Sequence, residues 1–422
     1  MSPPRLPLPD WLRRLETLSP KEIDLGLERV AGVLGRMNLA PPARVIVVGG
    51  TNGKGSSVEM LRALLSGDGV VGTYTSPHVI HYNERIAVNG LPATDEEIVA
   101  AFERVEAVRG DAPLTYFEFG TLAALAVFDA AAVDTAILEV GLGGRLDAVN
   151  VMEPDASLIT NVSLDHCEWL GDDRESIGYE KAGIMRAGKP AVFADPDMPA
   201  SVAAHAEKLG ARLLRAGRDY TWALEEGGHW SWRGRRAELA DLAMPTLRGP
   251  MQLQNAAGIL ALIEALGLVQ LLDRAHVNRA LSSLRLSGRM QVIERGQRWL
   301  LDVAHNPAAA AALATSLQQH EAPATVAIIG ILDDKDVEGI VAPLAARVDN
   351  WIAITAASPR AIDAAELARR VANATDKACL IADSPDMAIE QARAIAASGE
   401  GVLVTGSFFT VGPVLERLSA HD

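Results

Sequence analysis

The chain has 422 residues, 49% of them hydrophobic and 22% charged, with a formal net charge of -15. That length calls for two or three domains, and the composition fits a globular enzyme and excludes a disordered or fibrous chain. The acidic balance argues against nucleic acid as a partner, while two cysteines, Cys167 and Cys379, exclude a disulfide framework and fit a reducing compartment. No apolar stretch suits a signal peptide or a membrane span, so a cytoplasmic enzyme with no membrane partner is expected.

Residues 1 to about 10 are proline-rich and read as extended, followed by a short amphipathic helix over Trp11 to Leu18. Ser19-Pro20 with Glu22 signals a helix start, carried on by Ile23, Leu27, Val30 and Leu34, with Asp24 as a solvent-facing acid. Val45 to Ser57, VIVVGGTNGKGSS, carries the strongest chemistry. Val45 to Val48 suit a strand buried on both faces, and Gly49, Gly50, Gly53 and Gly55 let backbone N–H groups close on an anion. Lys54 adds charge, and Ser56 or Ser57 a hydroxyl for Mg²⁺. The spacing departs from G-x-x-x-x-G-K-[ST], since Val48 stands at the first glycine and Gly55 falls between Lys54 and Ser56. Val58 to Leu65 reads as the helix whose N-terminus faces the phosphates.

Val70 to Tyr74 is a second apolar run, ended by Thr75-Ser76-Pro77-His78; Ser76 offers a metal an oxygen, while His78 and His81 read as ligands or as structural loop histidines. Thr94 to Val108 is a capped helix with acids in its first turn, and Thr121 to Ala130 a buried one. Before the latter, Tyr116, Phe117 and Phe119 gather as a clamp for a flat ring or as core. Thr135 to Val140 is a buried strand with one acid near its end, which makes Glu139 the first choice for a Mg²⁺ ligand. Ala156 to Ile159 repeats the pattern and leads to Leu164-Asp165-His166, where His166 offers a metal nitrogen or packs as a core or capping residue. Cys167 beside it lacks further zinc-spaced ligands and reads as a small buried thiol.

A helix from Ser176 carries Lys181, on pattern alone an ordinary solvated or ion-paired lysine, and Ala191 to Ala194 is a strand. Trp222, Trp230 and Trp232 alternate with polar residues around Gly227-Gly228, an antiparallel hairpin signal, and Gln254-Asn255 opens a helix. Composition changes at Leu286 to Arg289. Beyond it, Trp299 to Val303, residues 327 to 332, Trp351 to Thr355 and Val402 to Thr405 read as strands of a second α/β domain.

G-T-N-G-K-G-S at Gly50 to Ser56 resembles the phosphate loop of ATP-dependent amide-bond ligases, which include folylpolyglutamate synthases, dihydrofolate synthases and cell-wall Mur ligases. The later blocks extend the likeness over nearly the whole chain: LEVGLGGRLDAVN (Leu138 to Asn150), RESIGYEKAGI, GRMQVI (Gly288 to Ile293), DVAHNP (Asp302 to Pro307), GILDDKD (Gly330 to Asp336) and TGSFFTVG (Thr405 to Gly412). The sequence is thereby similar to the bacterial bifunctional dihydrofolate synthases/folylpolyglutamate synthases.

The resemblance implies an α/β protein in two parts. Residues 1–286 would be a P-loop ATPase-like domain with a mainly parallel sheet, binding ATP and pterin; residues 287–422 would be a smaller Rossmann-like glutamate-ligase domain. It implies that Asn52, Gly53, Lys54, Gly55, Ser56, Asn255, Arg289 and Asp302 contact ATP. Ser76, Glu139 and His166 would hold two Mg²⁺ ions, with K⁺ or another monovalent cation beside them. Lys54, Lys181 and His305 become catalytic, Lys181 matching a lysine that is carbamylated. Dihydropteroate would rest against Asp24, Leu25 and Gly26, against Thr115, Tyr116, Phe117 and Glu118, and against Leu146, Asp147 and Ala148. L-Glutamate would meet Lys335 and Ser407. The expected activity is ATP-dependent addition of L-glutamate to 7,8-dihydropteroate and to tetrahydrofolate and its polyglutamates, by a monomer. A monofunctional folylpolyglutamate synthase, a Mur-type peptide ligase and a non-catalytic ATP-binding module are the rival readings.

Overall fold

The computed structural model describes residues 6–19, 21, 23–319, 325–396 and 400–420. Its first sheet has eight strands: β1 (Arg44–Gly49), β2 (Val71–Tyr74), β3 (Ile86–Val88), β4 (Leu91–Pro92), β5 (Thr135–Glu139), β6 (Ala156–Ile159), β7 (Pro190–Phe193) and β8 (Arg212–Arg215). They lie in the order β4-β3-β2-β5-β1-β6-β7-β8, parallel from β2 to β8, with β3 and β4 antiparallel at one edge. The apolar run of β1 is central because both its faces are buried, and neighbours β5 and β6 pair with it in register, Val48 with Glu139 and Gly49 with Ile159. The loops after β1, β2, β5 and β6 therefore open at one level, at the carboxyl edge where open α/β sheets bind ligands.

One face of this sheet is covered by the helices Asp95–Arg109 and Tyr116–Ala130 with the N-terminal helices. The other is covered by Lys54–Leu64, Pro250–Ala265 and a small antiparallel sheet of β9 (Thr221–Leu224), β10 (His229–Arg233) and β11 (Glu238–Ala243), whose Trp230 and Trp232 are buried. The expected hairpin is present, with a third strand added. A second six-stranded sheet follows: β12 (Gln291–Arg295), β13 (Gln297–Leu301), β14 (Val326–Ile329), β15 (Asn350–Ile354), β16 (Cys379–Ala382) and β17 (Gly401–Thr405), in the order β12-β13-β17-β14-β15-β16. All but β12 run parallel, with their own two cores on either face, so the expected pair of α/β sheets is what the chain forms. Among the described residues no helix is long and apolar enough to cross a membrane.

Several element boundaries differ from the sequence reading. The first helix starts at Leu8, earlier than Trp11. The second starts only at Glu28; residues 23–27 are not helical, and Pro20 and Glu22 of the expected start signal lie outside the described residues. Arg29 explains the delay, since it ties back to Asp24, bonding its carbonyl at 2.5 Å and its carboxylate at 3.0 Å, so Asp24 is no free surface acid. The helix after β1 begins at Lys54, four residues early, because Gly53 takes a left-handed φ of 84° and turns the glycine- and serine-rich stretch directly into a helix. Thr115 caps the helix Tyr116–Ala130, forming a capping box with Glu118, a T-x-x-E signal that aromatic clustering obscured. Asn255 does not open a helix; it lies in the second turn of one that begins with proline at its first position. Cys167 is exposed and not a buried thiol, because its one-turn helix buries only Leu170.

Candidate active site

Both sheets point their carboxyl edges at one cavity of about 250 Å³. The first contributes Gly50 to Lys54, Ser76, Glu139, Asp165, His166 and Lys181; the second contributes Arg289, His305, Lys335 and Ser407. Arg289 also borders two neighbouring cavities, its guanidinium 5.3 Å from the Phe408 ring centre.

The phosphate loop is held from beneath. The Thr160 hydroxyl and the Asn161 amide donate to the Asn52 carbonyl at 2.7 and 2.9 Å, and the Asn52 N–H donates to Asn161 Oδ1 at 3.0 Å. Gly50 is obligatory, since a Cβ there would lie 1.9 Å from the Thr160 hydroxyl. The same holds at Gly53, where a Cβ would lie 2.6 Å from Asn255 Nδ2. Lys54 folds back to donate to the Gly50 and Thr51 carbonyls, both at 3.2 Å. Beyond Gly55, Ser56 Oγ accepts from Gln252 Nε2 at 3.3 Å. Asn255 is fully buried, yet among the described residues neither its amide oxygen nor its nitrogen has a partner. A buried amide left unpaired costs roughly 1–3 kcal/mol, which a bound group could recover.

Glu139 is buried at the end of β5 and accepts the Ser76 N–H at 3.2 Å. Burial pushes its carboxyl above the usual range, against the pull of Lys54. His166 is pushed down to about 4, mainly by burial, so its imidazole is neutral at pH 7 with a free electron pair. Among the described residues no three histidine, cysteine or carboxylate side chains form a metal cage alone. The set of hydroxyl, carboxylate and neutral nitrogen instead fits an ion completed by phosphate oxygens and water, the usual condition of Mg²⁺.

Lys181 overturns the expectation of a solvated lysine. It is buried, donates to the Gly50 carbonyl at 3.1 Å, and is pushed down to about 7 by burial and then by the charge of Lys54. A lysine amine free of its proton near neutral pH is a nucleophile.

From the second sheet, Asp302 accepts N–H groups of Met290 and Ala304 at 3.0 and 2.9 Å, and burial raises its carboxyl. With Asn52, Gly53, Ser56, Gln252 and Arg289 it borders a side cavity of about 70 Å³. His305 Nδ1 lies 2.9 Å from the Val303 carbonyl, and Ser407 Oγ 2.9 Å from Thr410 Oγ1. Lys335 Nζ pairs with Asp165 at 2.7 Å and Asp334 at 3.0 Å. Sequence reasoning missed the roles of Asp165 and Asn306, although both lie in the loops that follow buried strands. Burial alone would raise the Asp165 carboxyl, but the facing His305, His166 and Lys335 hold it well below the usual carboxylate range.

The ten residues assigned to dihydropteroate do not line this cavity but gather beside it. Arg29 joins Glu118 (2.9 Å) to Asp24 (3.0 Å), Leu25 and Gly26 lie half-buried next to Asp24, and Thr115 and Glu118 cap each other. Asp147, between half-buried Leu146 and buried Ala148, accepts N–H groups of Leu142 (2.8 Å) and Val149 (3.1 Å). Phe117 packs on Gly141 and lies 5.7 Å from Tyr74, while Tyr116 meets Tyr82 edge-on at 6.0 Å. Phe119 takes no part in a clamp: it is fully buried between Trp11 and Phe102.

A phosphate loop and a buried acid on one sheet, faced by a second α/β sheet that supplies the opposite wall, describe an ATP site facing a second substrate site, and the similarity to known proteins makes it that of an ATP-dependent amide-forming ligase. Residues 48–226 match the Mur ligase middle domain, and residues 288–408 match the Mur ligase, glutamate ligase domain. The dihydrofolate synthase/folylpolyglutamate synthase of Escherichia coli (strain K12) is 41% identical over 418 residues, covering 98% of this chain and 96% of that protein. The solved structure of E. coli FolC in complex with DHPP and ADP has a TM-score of 0.92 at 40% identity, covering 99% of this chain and 100% of the other. A bifunctional folylpolyglutamate synthase/dihydrofolate synthase with Mn, AMPPNP and L-glutamate bound has a TM-score of 0.90 at 41% identity, with 99% and 100% covered. The chain belongs to the dihydrofolate synthase/folylpolyglutamate synthase family.

Proposed function

We propose that this protein joins L-glutamate to 7,8-dihydropteroate and to the glutamate tail of tetrahydrofolate and its polyglutamates, at the expense of ATP. The carrying observation is the convergence of Lys54, Glu139, His166 and Lys181 from one sheet with Arg289, His305 and Lys335 from the other on a single cavity. Solved relatives that hold ADP with DHPP, or AMPPNP with Mn and L-glutamate, support the same set of ligands.

In this reading the triphosphate lies along Asn52 to Ser56, with the rest of the nucleotide towards Asn255, Arg289 and Asp302. Ser76, Glu139 and His166 would hold divalent ions, two Mg²⁺ in the working enzyme, which neutralise phosphate charge; K⁺ or another monovalent cation would complete the set. A carboxylate is a poor acyl donor, so the γ-phosphoryl group passes to the acceptor carboxylate, giving an acyl phosphate and ADP. Lys54 and the loop N–H groups offset the charge gathered between the two anions. The amino group of L-glutamate, held by Lys335 and Ser407 with His305 near the reacting atoms, then attacks the carbonyl carbon. Phosphate leaves and the amide remains.

Lys181, deprotonated near neutral pH, is suited to add CO₂ and become a carbamate, an anion that supports the metal site. Dihydropteroate would extend from the cavity towards Phe117, Tyr116 and the Asp24 to Gly26 loop. The division falls at 286/287, with water kept from the acyl phosphate by closure of the two parts. A cytoplasmic monomer is the expected form.

The test is incubation with Mg-ATP and L-glutamate plus either 7,8-dihydropteroate or tetrahydrofolate, following ADP and conjugated product by mass. Glutamate added to both acceptors is expected. Addition to tetrahydrofolate alone would leave a monofunctional folylpolyglutamate synthase, and addition to neither would remove the folate reading.

A further inference from the structure

Asp165 is a carboxylate of the first half gripped by side chains of the second. Its Oδ1 accepts from Lys335 Nζ at 2.7 Å, and its Oδ2 accepts from Asn306 Nδ2 at 3.0 Å while facing His305 Nε2 at 3.7 Å. The pair with Lys335 is nearly closed to solvent, the two side chains being 8% and 6% exposed. A charge pair so buried persists only where geometry and further hydrogen bonds repay its desolvation, and Asn306 supplies such a bond.

The network continues into the phosphate loop. Asn306 and Asn52 exchange amide hydrogen bonds at 3.0 and 3.2 Å, so Asn52, Asn306, Asp165 and Lys335 form one connected line across the two halves. An ammonium has three hydrogens. Asp165 and Asp334 engage two of those on Lys335, at 2.7 and 3.0 Å, which leaves one for a ligand in the cavity that Lys335 borders.

We propose that Asp165 is a positioning residue for the amino-acid substrate: it fixes the Lys335 ammonium opposite the phosphate loop, so that the remaining N–H meets a carboxylate of L-glutamate. A lysine stem has many rotamers, and ordering it before the substrate arrives lowers the cost of binding. The proposal rests on the reading of Lys335 as a contact for L-glutamate, and the variants below separate the two.

Initial rates are measured with dihydropteroate as acceptor while L-glutamate and ATP are varied in turn. Asp165→Asn keeps the shape and an acceptor for Asn306 but loses the charge; it is expected to raise KM for L-glutamate about tenfold and to leave KM for ATP within about twofold. Asp165→Glu, which restores the charge, should recover part of that loss. Lys335→Met should raise the same KM at least as far, and adding Asp165→Asn to it should change little more, because one residue acts through the other. The shift in melting temperature on adding Mg-ADP should match the parent in every variant, showing a folded nucleotide site. If Asp165→Asn raises KM for ATP as much as for L-glutamate, or adds fully to Lys335→Met, Asp165 serves the nucleotide or its metal and the proposal fails. It also fails if Lys335→Met has its effect and Asp165→Asn has none. No effect of Lys335→Met on the L-glutamate KM would remove the underlying reading of Lys335.

Discussion

At the phosphate loop, buried polar groups stand without matched partners: among the described residues the Asn255 amide and Gln252 Oε1 have none, and Lys54 and Lys181 fall back on backbone carbonyls. On the aromatic side, past the loop after β5, the carboxylates are matched within the protein, Glu118 by Arg29 and the Thr115 N–H, Asp147 by two backbone N–H groups. Among the described residues the exceptions there are the Tyr74 and Tyr82 hydroxyls beside Gly120, Trp11 Nε1 and Arg29 Nε, all buried without partners. Groups left unpaired in the apo chain cost stability and are repaid by a ligand, whereas groups that pair with each other hold the wall in shape. Substitutions at the phosphate side should therefore cost activity with little loss of stability, whereas those at the paired carboxylates of the aromatic side should also cost stability.

The largest expected effect is Lys54→Met, which should lower kcat by about 100- to 1000-fold, with the apo melting temperature nearly unchanged. A parallel fall in melting temperature would break the contrast. Lys181→Ala should cost about 100-fold in rate, and short carboxylic acids added to the assay should restore part of it if the lysine works as a carbamate. A rate that ignores both the substitution and the acids would refute that role.

On the aromatic side, Glu118→Ala takes from Arg29 its buried carboxylate partner, leaving only Asp24, and removes half of the capping box, so unfolding in urea should report a loss of about 2–3 kcal/mol. Asn255→Ala should change apo stability by less than about 1 kcal/mol while raising KM for ATP about tenfold, since the amide has no partner to lose. Equal losses of stability in these two variants would dissolve the distinction between the walls.

The smallest effect is on pH. His78 accepts the Arg85 Nε–H at 2.8 Å, and burial, then the charges of Arg85 and His81, push it from 6.5 down to about 4. Between these values the unfolded chain binds a proton that the folded chain does not. The contribution of His78 is thus complete above about pH 6.5 and is lost as pH falls towards 4. The urea midpoint should fall between pH 7 and pH 5, and His78→Gln should flatten that slope.

Much of this protein was legible in the chain itself. Val45 to Val48 could only be a central strand, because four apolar residues ending in glycines fit no half-exposed element, and β1 indeed carries the phosphate loop. Glu139 was readable as an acid held inside a buried strand, and it lies buried at the end of β5. The three-residue periods of capping were readable too, at Thr94 with its helix and, unnoticed, at Thr115.

Other assignments needed the third dimension. Lys181 reads as a surface lysine, since a helix pattern cannot say which of its polar residues lies under a distant loop; only the packing of Arg174–Ala182 against Gly50 buries it and lowers its proton affinity. Asn255 gives no signal within its helix, yet it lies against Gly53. Asp165 meets Lys335, 170 residues away, only because two separate sheets present their carboxyl edges to each other. Local sequence determines strands, turns and the chemistry a side chain can offer. Burial and long-range partners, which set charge state and role, exist only once the two sheets have packed.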